Sequence, residues 1–208
     1  MENKKYEFVP ESEITICRGT TLMRIRALRD FGDVKKGDIG GYIQFEENLS
    51  HEGNCWVYGE AGVFDNAKVF DNARVFDTAR VFDNAGVYGD ARVLGDAGVY
   101  GDARVFGGAK VYGLVMVYGD AEVKGAEDYI VFKNWWSSGR YFTWTRSNNM
   151  WRVGCFYGTG EELIKKAYKD SERSGREYER IIKYVEEILE GEERYQKLIE
   201  SEELYKDR

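Results

Sequence analysis

A six-residue phrase, Ala-x-Val-(Phe/Tyr)-(Gly/Asp)-(Asp/Asn), fills the middle of this chain. It recurs twelve times between Cys55 and Lys124 without an insertion. The valine keeps its register throughout, at Val57, Val63, Val69, Val75, Val81, Val87, Val93, Val99, Val105, Val111, Val117 and Val123. Alanine stands two residues before nearly every valine, and Cys55 and Val115 take its place in the two exceptions. A period this strict predicts a solenoid.

The chemistry of the phrase predicts how the solenoid is built. Residues two apart point to the same side of a strand, so the alanine and the valine face inward together. The Gly/Asp and Asp/Asn positions form a corner, because these residues tolerate positive φ and bond their own backbone. Three phrases then close a triangular coil of eighteen residues, and twelve phrases make about four coils. Each buried valine contributes about 1.5–2 kcal/mol.

A β-helix with bare ends would pair edge to edge, so caps are expected on both sides of the repeat. We assign residues 1–54 to an N-terminal β cap and residues 55–125 to the repeat. In the cap, Thr20 to Leu28 has the pattern of a strand. Extending the repeat upstream places His51 at an inward valine position, which favours a capping role for this histidine over a catalytic one.

The remainder divides into an aromatic-rich β module at 126–158 and C-terminal helices at 159–208. The module is predicted to contain three strands, at Tyr129 to Phe132, Tyr141 to Thr145 and Met150 to Phe156. Thr159 and Glu162 have the spacing of a helical capping box. Apolar residues recur at helical spacing between Glu177 and Leu204 and need a surface to pack on.

Charge and composition exclude several classes of protein. The formal net charge of -7 argues against a general nucleic-acid binder. No apolar stretch approaches the roughly 18 residues of a membrane span, and the first residues lack the apolar core of a secretory signal. Cys17, Cys55 and Cys155 are odd in number and widely spaced, which is typical of a reduced, cytoplasmic protein without a cysteine-rich metal site.

The phrase Val-Tyr-Gly-Asp-Ala-Arg resembles the hexapeptide repeat of left-handed parallel β-helix proteins, many of which are trimeric acyltransferases. Left-handed winding, a trimer and acyl-CoA chemistry are what this resemblance implies. The stretches 25–42 and 48–58 are similar to the opening of the uncharacterised bacterial YdcK-like proteins, which are labelled as acyltransferases. From Gly125 onward the chain is similar to C-terminal segments of hypothetical proteins of bacteria and their phages.

The chain departs from the enzymes of that family. Hexapeptide acyltransferases place a histidine base beside the thioester, often with a loop extruded from a coil. The segment from Cys55 to Lys124 has neither a histidine nor such a loop. Related carbonic anhydrases hold zinc with three histidines, and this chain has a single one, His51. We therefore expect no cofactor and no metal, and His51 is a catalytic candidate only if the chain is an acyltransferase.

Counting by eighteen sorts the outward residues into three walls. The second wall carries aromatics next to glycines and is predicted to be covered by another subunit or by the C-terminal helix; its candidate binding residues are Phe64, Phe82, Tyr100, Tyr118 and Met116. The first wall pairs Arg74, Arg92 and Lys110 with aromatics, which suits a nucleotide, although arginine stems covering ring edges give the same pattern. Trp135 and Trp136 are further candidates in the β module.

The acidic corners at Asp65, Asp71, Asp77 and Asp83 raise the question of calcium, but turn chemistry accounts for them.

Three functions follow from these patterns. The first is a non-enzymatic, homo-oligomeric binding or scaffold module. Because the tail resembles proteins of phages, a phage accessory role is conceivable, such as blocking a host defence protein. A phage-encoded protein of this kind would act in the host cytoplasm. The second is an acyltransferase that uses His51 and acyl-CoA. The third is a nucleotide or nucleotide-signal binder on the first wall. We favour the first function, because the coils are unbroken and lack histidine.

Overall fold

The computed structural model describes residues 4–16 and 19–206, and Cys17 lies outside them. Within the described part of the N-terminal cap lie four strands: β1 (Tyr6–Phe8), β2 (Ile14–Thr15), β3 (Thr21–Ala27) and β4 (Ile39–Ile43). The β3 strand pairs antiparallel with the other three, with a register irregularity between Arg24 and Arg26. The predicted strand from Thr20 to Leu28 is therefore confirmed to within one residue at each end.

Twelve short strands follow, one in each phrase. They are β5 (Trp56–Val57), β6 (Gly62–Val63), β7 (Lys68–Val69), β8 (Arg74–Val75), β9 (Arg80–Val81), β10 (Gly86–Val87), β11 (Arg92–Gly95), β12 (Gly98–Val99), β13 (Arg104–Val105), β14 (Lys110–Gly113), β15 (Met116–Val117) and β16 (Glu122–Val123). Each pairs in parallel with the strand eighteen residues away, as in the pairing of Val87 with Val69 and Val105.

The pairing produces three parallel walls. The first wall is β5-β8-β11-β14, the second is β4-β6-β9-β12-β15, and the third is β7-β10-β13-β16. The second wall begins one rung earlier than the repeat, because β4 of the cap pairs in parallel with β6. Leu49 extends the third wall in the same way by bridging to Val69. The predicted β-helix is confirmed, with about five turns instead of four.

The prediction that His51 takes an inward valine position is wrong. Leu49 occupies the rung below Val69 and is 1% exposed, two residues before the position given by extrapolation. Ile43 and Leu49, which pair with Val63 and Val69, keep the six-residue spacing, but eight residues separate Leu49 from Val57, so the register shifts in the segment after Leu49. A cap residue must match the shape of the solenoid end, and a strict period cannot anticipate that.

The core is the inward stack of the repeat. All twelve valines of the phrase are at most 1% exposed, and the alanines between them are equally buried. At the corners, Asp65, Asp71, Asp77 and Asp83 have φ between 55° and 57°. The Oδ2 atoms of the last three accept hydrogen bonds of 2.9–3.1 Å from the backbone N–H eighteen residues on. These carboxylates therefore tie each corner to the next coil.

A four-stranded antiparallel sheet follows the coils. Its strands are β17 (Tyr129–Lys133), β18 (Tyr141–Thr145), β19 (Met150–Val153) and β20 (Phe156–Gly158), in that order. The single strand predicted from Met150 to Phe156 is in fact two, because Gly154 has φ 58° and turns the chain. Thr143 accepts a 3.1 Å hydrogen bond from the N–H of Met116, so this sheet covers the last coil.

Two helices end the described chain: α1 (Gly160–Asp170) and α2 (Glu172–Lys206). The predicted capping box is present, since Thr159 Oγ1 accepts from the N–H of Glu162 and the Glu162 carboxylate accepts from the N–H of Thr159. The helices pack closely where Gly175 meets Tyr168, because a Cβ on Gly175 would lie 2.3 Å from that ring. Neither helix, over the described residues, has a segment that qualifies as a membrane span.

The described chain forms two compact units. One contains the cap, the coils and most of the antiparallel sheet, up to Lys133 and again over 140–157. The other contains 134–139 and the helices from Gly158 onward. The cap, the repeat and most of the β module assigned from sequence thus belong to one compact unit, whereas 134–139 of the module belongs to the other.

The inward stack makes a direct prediction about stability. Val69→Ala removes two buried methyl groups from a site that neighbouring coils hold open, so we expect the unfolding free energy to fall by about 2 kcal/mol. The adjacent Lys68 points to solvent, and Lys68→Ala should change stability by less than about 0.5 kcal/mol. Urea denaturation measures both, and equal effects of the two variants would contradict the inward assignment.

Candidate functional site

The second wall carries a groove at its centre. Its outward positions alternate in size: Gly62, Arg80, Gly98 and Met116 lie on successive strands. The space left over Gly98 opens into a cavity of about 450 Å³. The lining residues are Arg80, Phe82, Asp83, Asp96, Ala97, Gly98, Tyr100, Met116, Tyr118 and Arg152. Four of the five second-wall residues predicted from sequence line it, and Phe64 lies one coil before them.

A column of aromatic rings forms one side of the groove. Phe64 stacks on Phe82 with centroids 5.0 Å apart, Phe82 stacks on Tyr100 at 4.6 Å, and Tyr100 contacts Tyr118 at 4.6 Å. Tyr157 of β20 closes the column with a perpendicular contact to Tyr118 at 4.6 Å. Because the ring faces contact one another along the column, the groove presents ring edges, which carry partial positive charge.

Arg152 of β19 reaches the end of this column. Its Nε donates a 2.8 Å hydrogen bond to the hydroxyl of Tyr100. Its guanidinium carbon lies 4.9 Å from the ring centroid of Tyr118 and 5.5 Å from that of Tyr100, which is cation–π distance. Burial raises the pKa of Tyr100 above its usual range, and the Arg152 charge offsets part of that rise. Sequence reasoning missed Arg152, because only the folding of the sheet onto the last coil brings it to the groove.

The other arginine of the groove is held back against the preceding coil. Arg80 Nη1 donates to the carbonyl oxygens of Glu60 at 2.7 Å and Thr78 at 3.1 Å. Its stem lies over Gly62, where a Cβ would be 3.3 Å from Arg80 Cδ. On the other side of Gly98 the thioether of Met116 leans inward, 2.8 Å from where a Cβ on Gly98 would lie. The groove exists because Arg80 turns away from Gly98.

Two carboxylates form the rim, and both are hydrogen-bonded. Asp83 accepts from the N–H of Gly101 at 3.1 Å, and Asp96 accepts from the hydroxyl of Thr78 at 2.5 Å. Each of these bonds connects a corner to the corner eighteen residues away along the chain. Among the residues that the structure describes, no group of three or more His, Cys, Asp or Glu side chains has the arrangement of a metal site.

The basic residues of the first wall do not form a free cationic stripe. Arg74 Nη1 lies 2.9 Å from Asp33 of the cap, and the Tyr58 hydroxyl donates to the same carboxylate. Burial works against this carboxylate, but its two partners hold the pKa of Asp33 below its usual range. Arg92 and Lys110 are exposed on the same wall. Of the three basic residues predicted to bind a nucleotide, Arg74 is thus paired with a carboxylate, and binding at this wall stays a prediction.

His51 is engaged at both ring nitrogens. Its Nδ1 accepts from the backbone N–H of Lys5 at 3.1 Å, so the ring proton lies on Nε2, which is 2.7 Å from Glu46 Oε1. The ring also stacks on Tyr6 with centroids 4.4 Å apart. A general base needs a free lone pair within reach of its substrate, and this arrangement leaves none.

A buried lysine and cysteine lie beside this histidine in the cap. Lys5 is fully buried, and its Nζ lies 3.1 Å from Cys55 Sγ and 2.9 Å from the Cys55 carbonyl oxygen. Burial lowers the pKa of Lys5 and raises that of Cys55, so both shifts favour the uncharged forms. The exchange of alanine for Cys55 in the first phrase is thereby explained: the thiol closes the end of the stack against Lys5.

The two tryptophans predicted as candidates lie in the unit that contains the helices. Trp136 is 7% exposed and packs edge-on against Tyr178 of α2, with centroids 4.9 Å apart. Trp135 is 66% exposed and lies under the guanidinium of Arg173 at 5.7 Å. Trp136 is thus part of the helical core, and Trp135 lies at the surface.

The hydrogen bonds that Glu46 accepts predict a response of the stability to acid. Hydrogen bonds from Lys4 and then from His51 hold the pKa of Glu46 below its usual 4.5. This contribution to stability is complete above pH 4.5 and is lost as the pH falls through the lowered pKa. Glu46→Gln should therefore make the acid decline in unfolding free energy shallower, as followed by denaturant titration at stepped pH values. The same decline in Glu46→Gln and in the exposed neighbour variant Glu47→Gln would refute the assignment.

Comparison with known proteins gives a partial similarity. No family model matches the chain. A segment of 41 residues is 46% identical to a protein of Escherichia coli strain K12 named "Uncharacterized acetyltransferase YdcK". The match covers 20% of this chain and 13% of the length of that protein.

Proposed function

We propose that this chain is a non-enzymatic binding module that uses the second-wall groove. The solenoid that carries the groove and the matched segment together fit the hexapeptide-repeat β-helix proteins. One observation carries the proposal. Arg152 comes from a separate sheet to the end of the aromatic column and borders a cavity of about 450 Å³. A structural cap alone does not require that space, and its volume lies within the range of small-molecule sites.

The lining defines the class of ligand. Met116, the backbone of Gly98 and the ring edges of the column give an apolar floor that suits a planar aromatic group. Arg152 uses Nε for Tyr100 and Nη1 for the Cys155 carbonyl, so Nη2 remains to meet an acidic oxygen of the ligand. Asp83 and Asp96 on the rim would repel a multiply charged anion. We propose an aromatic monoanion, or an aromatic side chain flanked by one acidic group on a partner.

Binding is favoured over catalysis by what surrounds the groove. Its lining contains two arginines and two carboxylates, and all four side chains are hydrogen-bonded to the protein. His51, the family's type of general base, belongs to the N-terminal cap and is bonded at both nitrogens. The coils carry no inserted loop that would bring a base to the groove.

The chain offers a matched pair of variants for a test. The segments 85–93 and 97–105 have the same sequence, so Gly86 and Gly98 have identical neighbours along the chain. A Cβ on Gly98 would meet Met116 at 2.8 Å in the groove, whereas one on Gly86 would meet only the Tyr88 ring at 3.7 Å. Valine suits a strand at both positions.

The probe is 8-anilinonaphthalene-1-sulfonate, an aromatic monoanion whose fluorescence rises in an apolar site. We expect saturable binding to the native chain, and an affinity lower by roughly tenfold or more in Gly98→Val and in Arg152→Gln. Gly86→Val should bind like the native chain. Equal binding by Gly98→Val and Gly86→Val, both folded by circular dichroism, would overturn the proposal.

Acyl transfer is the second candidate function, because the Escherichia coli protein that shares the 41-residue segment is named an acetyltransferase. It would need acyl-CoA binding and His51 as the base. If the binding proposal is correct, the chain transfers no acetyl group from acetyl-CoA, since the histidine has no free lone pair to accept a proton. Acetyl-CoA binding, together with an acetyl transfer that disappears in His51→Asn while the fold remains, would establish the enzyme instead.

A further inference from the structure

Helix α2 has two apolar faces, and the structure covers only one of them. Tyr178, Ile182 and Val185 are at most 6% exposed and belong to the core shared with α1. The second face, which we call the seam, is formed by Ile181, Tyr184, Ile188, Gly191, Tyr195 and Leu198. Its members are spaced alternately three and four residues apart. Tyr184, Tyr195 and Leu198 are 55%, 64% and 59% exposed.

This spacing is that of a coiled-coil seam, with Ile181, Ile188 and Tyr195 at the a positions and Tyr184, Gly191 and Leu198 at the d positions. The distal half of α2 also lacks support. From Glu190 to Ser201 each residue is exposed or half-buried. Such a helical segment is marginal in water unless its apolar face packs on something.

We infer that the seam pairs with the same seam of a second copy of this chain, in antiparallel orientation. In that orientation a positions face d positions. Ile181 then meets Leu198 of the second copy, Tyr184 meets its Tyr195, and Ile188 meets its Gly191. Each layer occurs twice. The Ile188 side chain fills the space that Gly191 leaves, so the glycine creates no void in the interface.

The charges that flank the seam select this orientation. Antiparallel helices bring g positions together, and Glu187 then lies opposite Arg194 of the second copy, twice in each dimer. A parallel pair would instead place Glu187 opposite Glu192 twice, and would stack Gly191 on Gly191 with a void between them. Opposite charges and better filling therefore both favour the antiparallel dimer.

Sedimentation velocity over a concentration series tests the interface, with native mass spectrometry giving the subunit number. Leu198→Gln should weaken the dimer by roughly a hundredfold, since each dimer loses two buried leucines. The exposed neighbour Lys197 lies off the seam, and Lys197→Gln should leave the dimer unchanged. A native chain that stays monomeric overturns the inference, as does a trimer that Leu198→Gln does not alter.

Charge reversal tests the orientation separately. Glu187→Arg should weaken the antiparallel dimer several-fold at low salt, and adding Arg194→Glu in the same chain should restore it. In a parallel dimer, Glu187→Arg would instead create an attraction to Glu192 and tighten association. Tightening by the single variant would therefore refute the antiparallel register. The groove on the second wall contains none of these residues, so probe binding there can fail without affecting this result.

Discussion

The inward packing of valine on valine between coils is the contact on which the structure depends. A short strand of two residues has little stability alone, but in the inner coils each valine pairs in parallel with valines eighteen residues before and after it. The apolar column is continuous, so each coil is stabilised mainly by its neighbours. The alanine two residues earlier is small enough to bring the corners close, where the aspartate carboxylates bond the next coil. The same requirement disfavours an extra residue inside a strand, because it would turn the valine away from this column.

Because the interior takes only small and branched apolar residues, the large aromatics of the repeat lie outside. They stack on one another eighteen residues apart on all three walls, with centroids about 4.5–5.2 Å apart along the columns. This stacking accounts for most of the aromatic excess without a ligand. The second wall differs from the others in the residues beside its aromatic column. Glycines at 62 and 98 alternate there with the long side chains of Arg80 and Met116. Arg80 lies over Gly62, and Met116 lies beside Gly98. A groove results only where the long side chain turns away.

The ends of the solenoid carry most of the polar chemistry. At the N-terminal end, Lys5, Cys55, His51 and Glu46 satisfy one another and seal the apolar stack. At the C-terminal end, the antiparallel sheet covers the last coil and delivers Arg152 to the groove. The C-terminal segment that caps the solenoid thus also lines the groove, and it differs from the repeat because it must end it.

The repeat by itself determined the parallel β-helix, its eighteen-residue coils, its corners and the identity of the core, since each depends on contacts between residues at fixed spacing. The capping box and the helices also followed from local spacing. The tertiary structure decided the rest. Ala85–Val93 and Ala97–Val105 are identical in sequence, yet Gly98 lines a groove and Gly86 does not. The difference arises because Arg80, Met116 and Arg152 surround Gly98 only. The position of Leu49 in place of His51 was decided by the cap, where the period ends. A periodic pattern specifies what repeats, whereas a site is made where dissimilar segments meet.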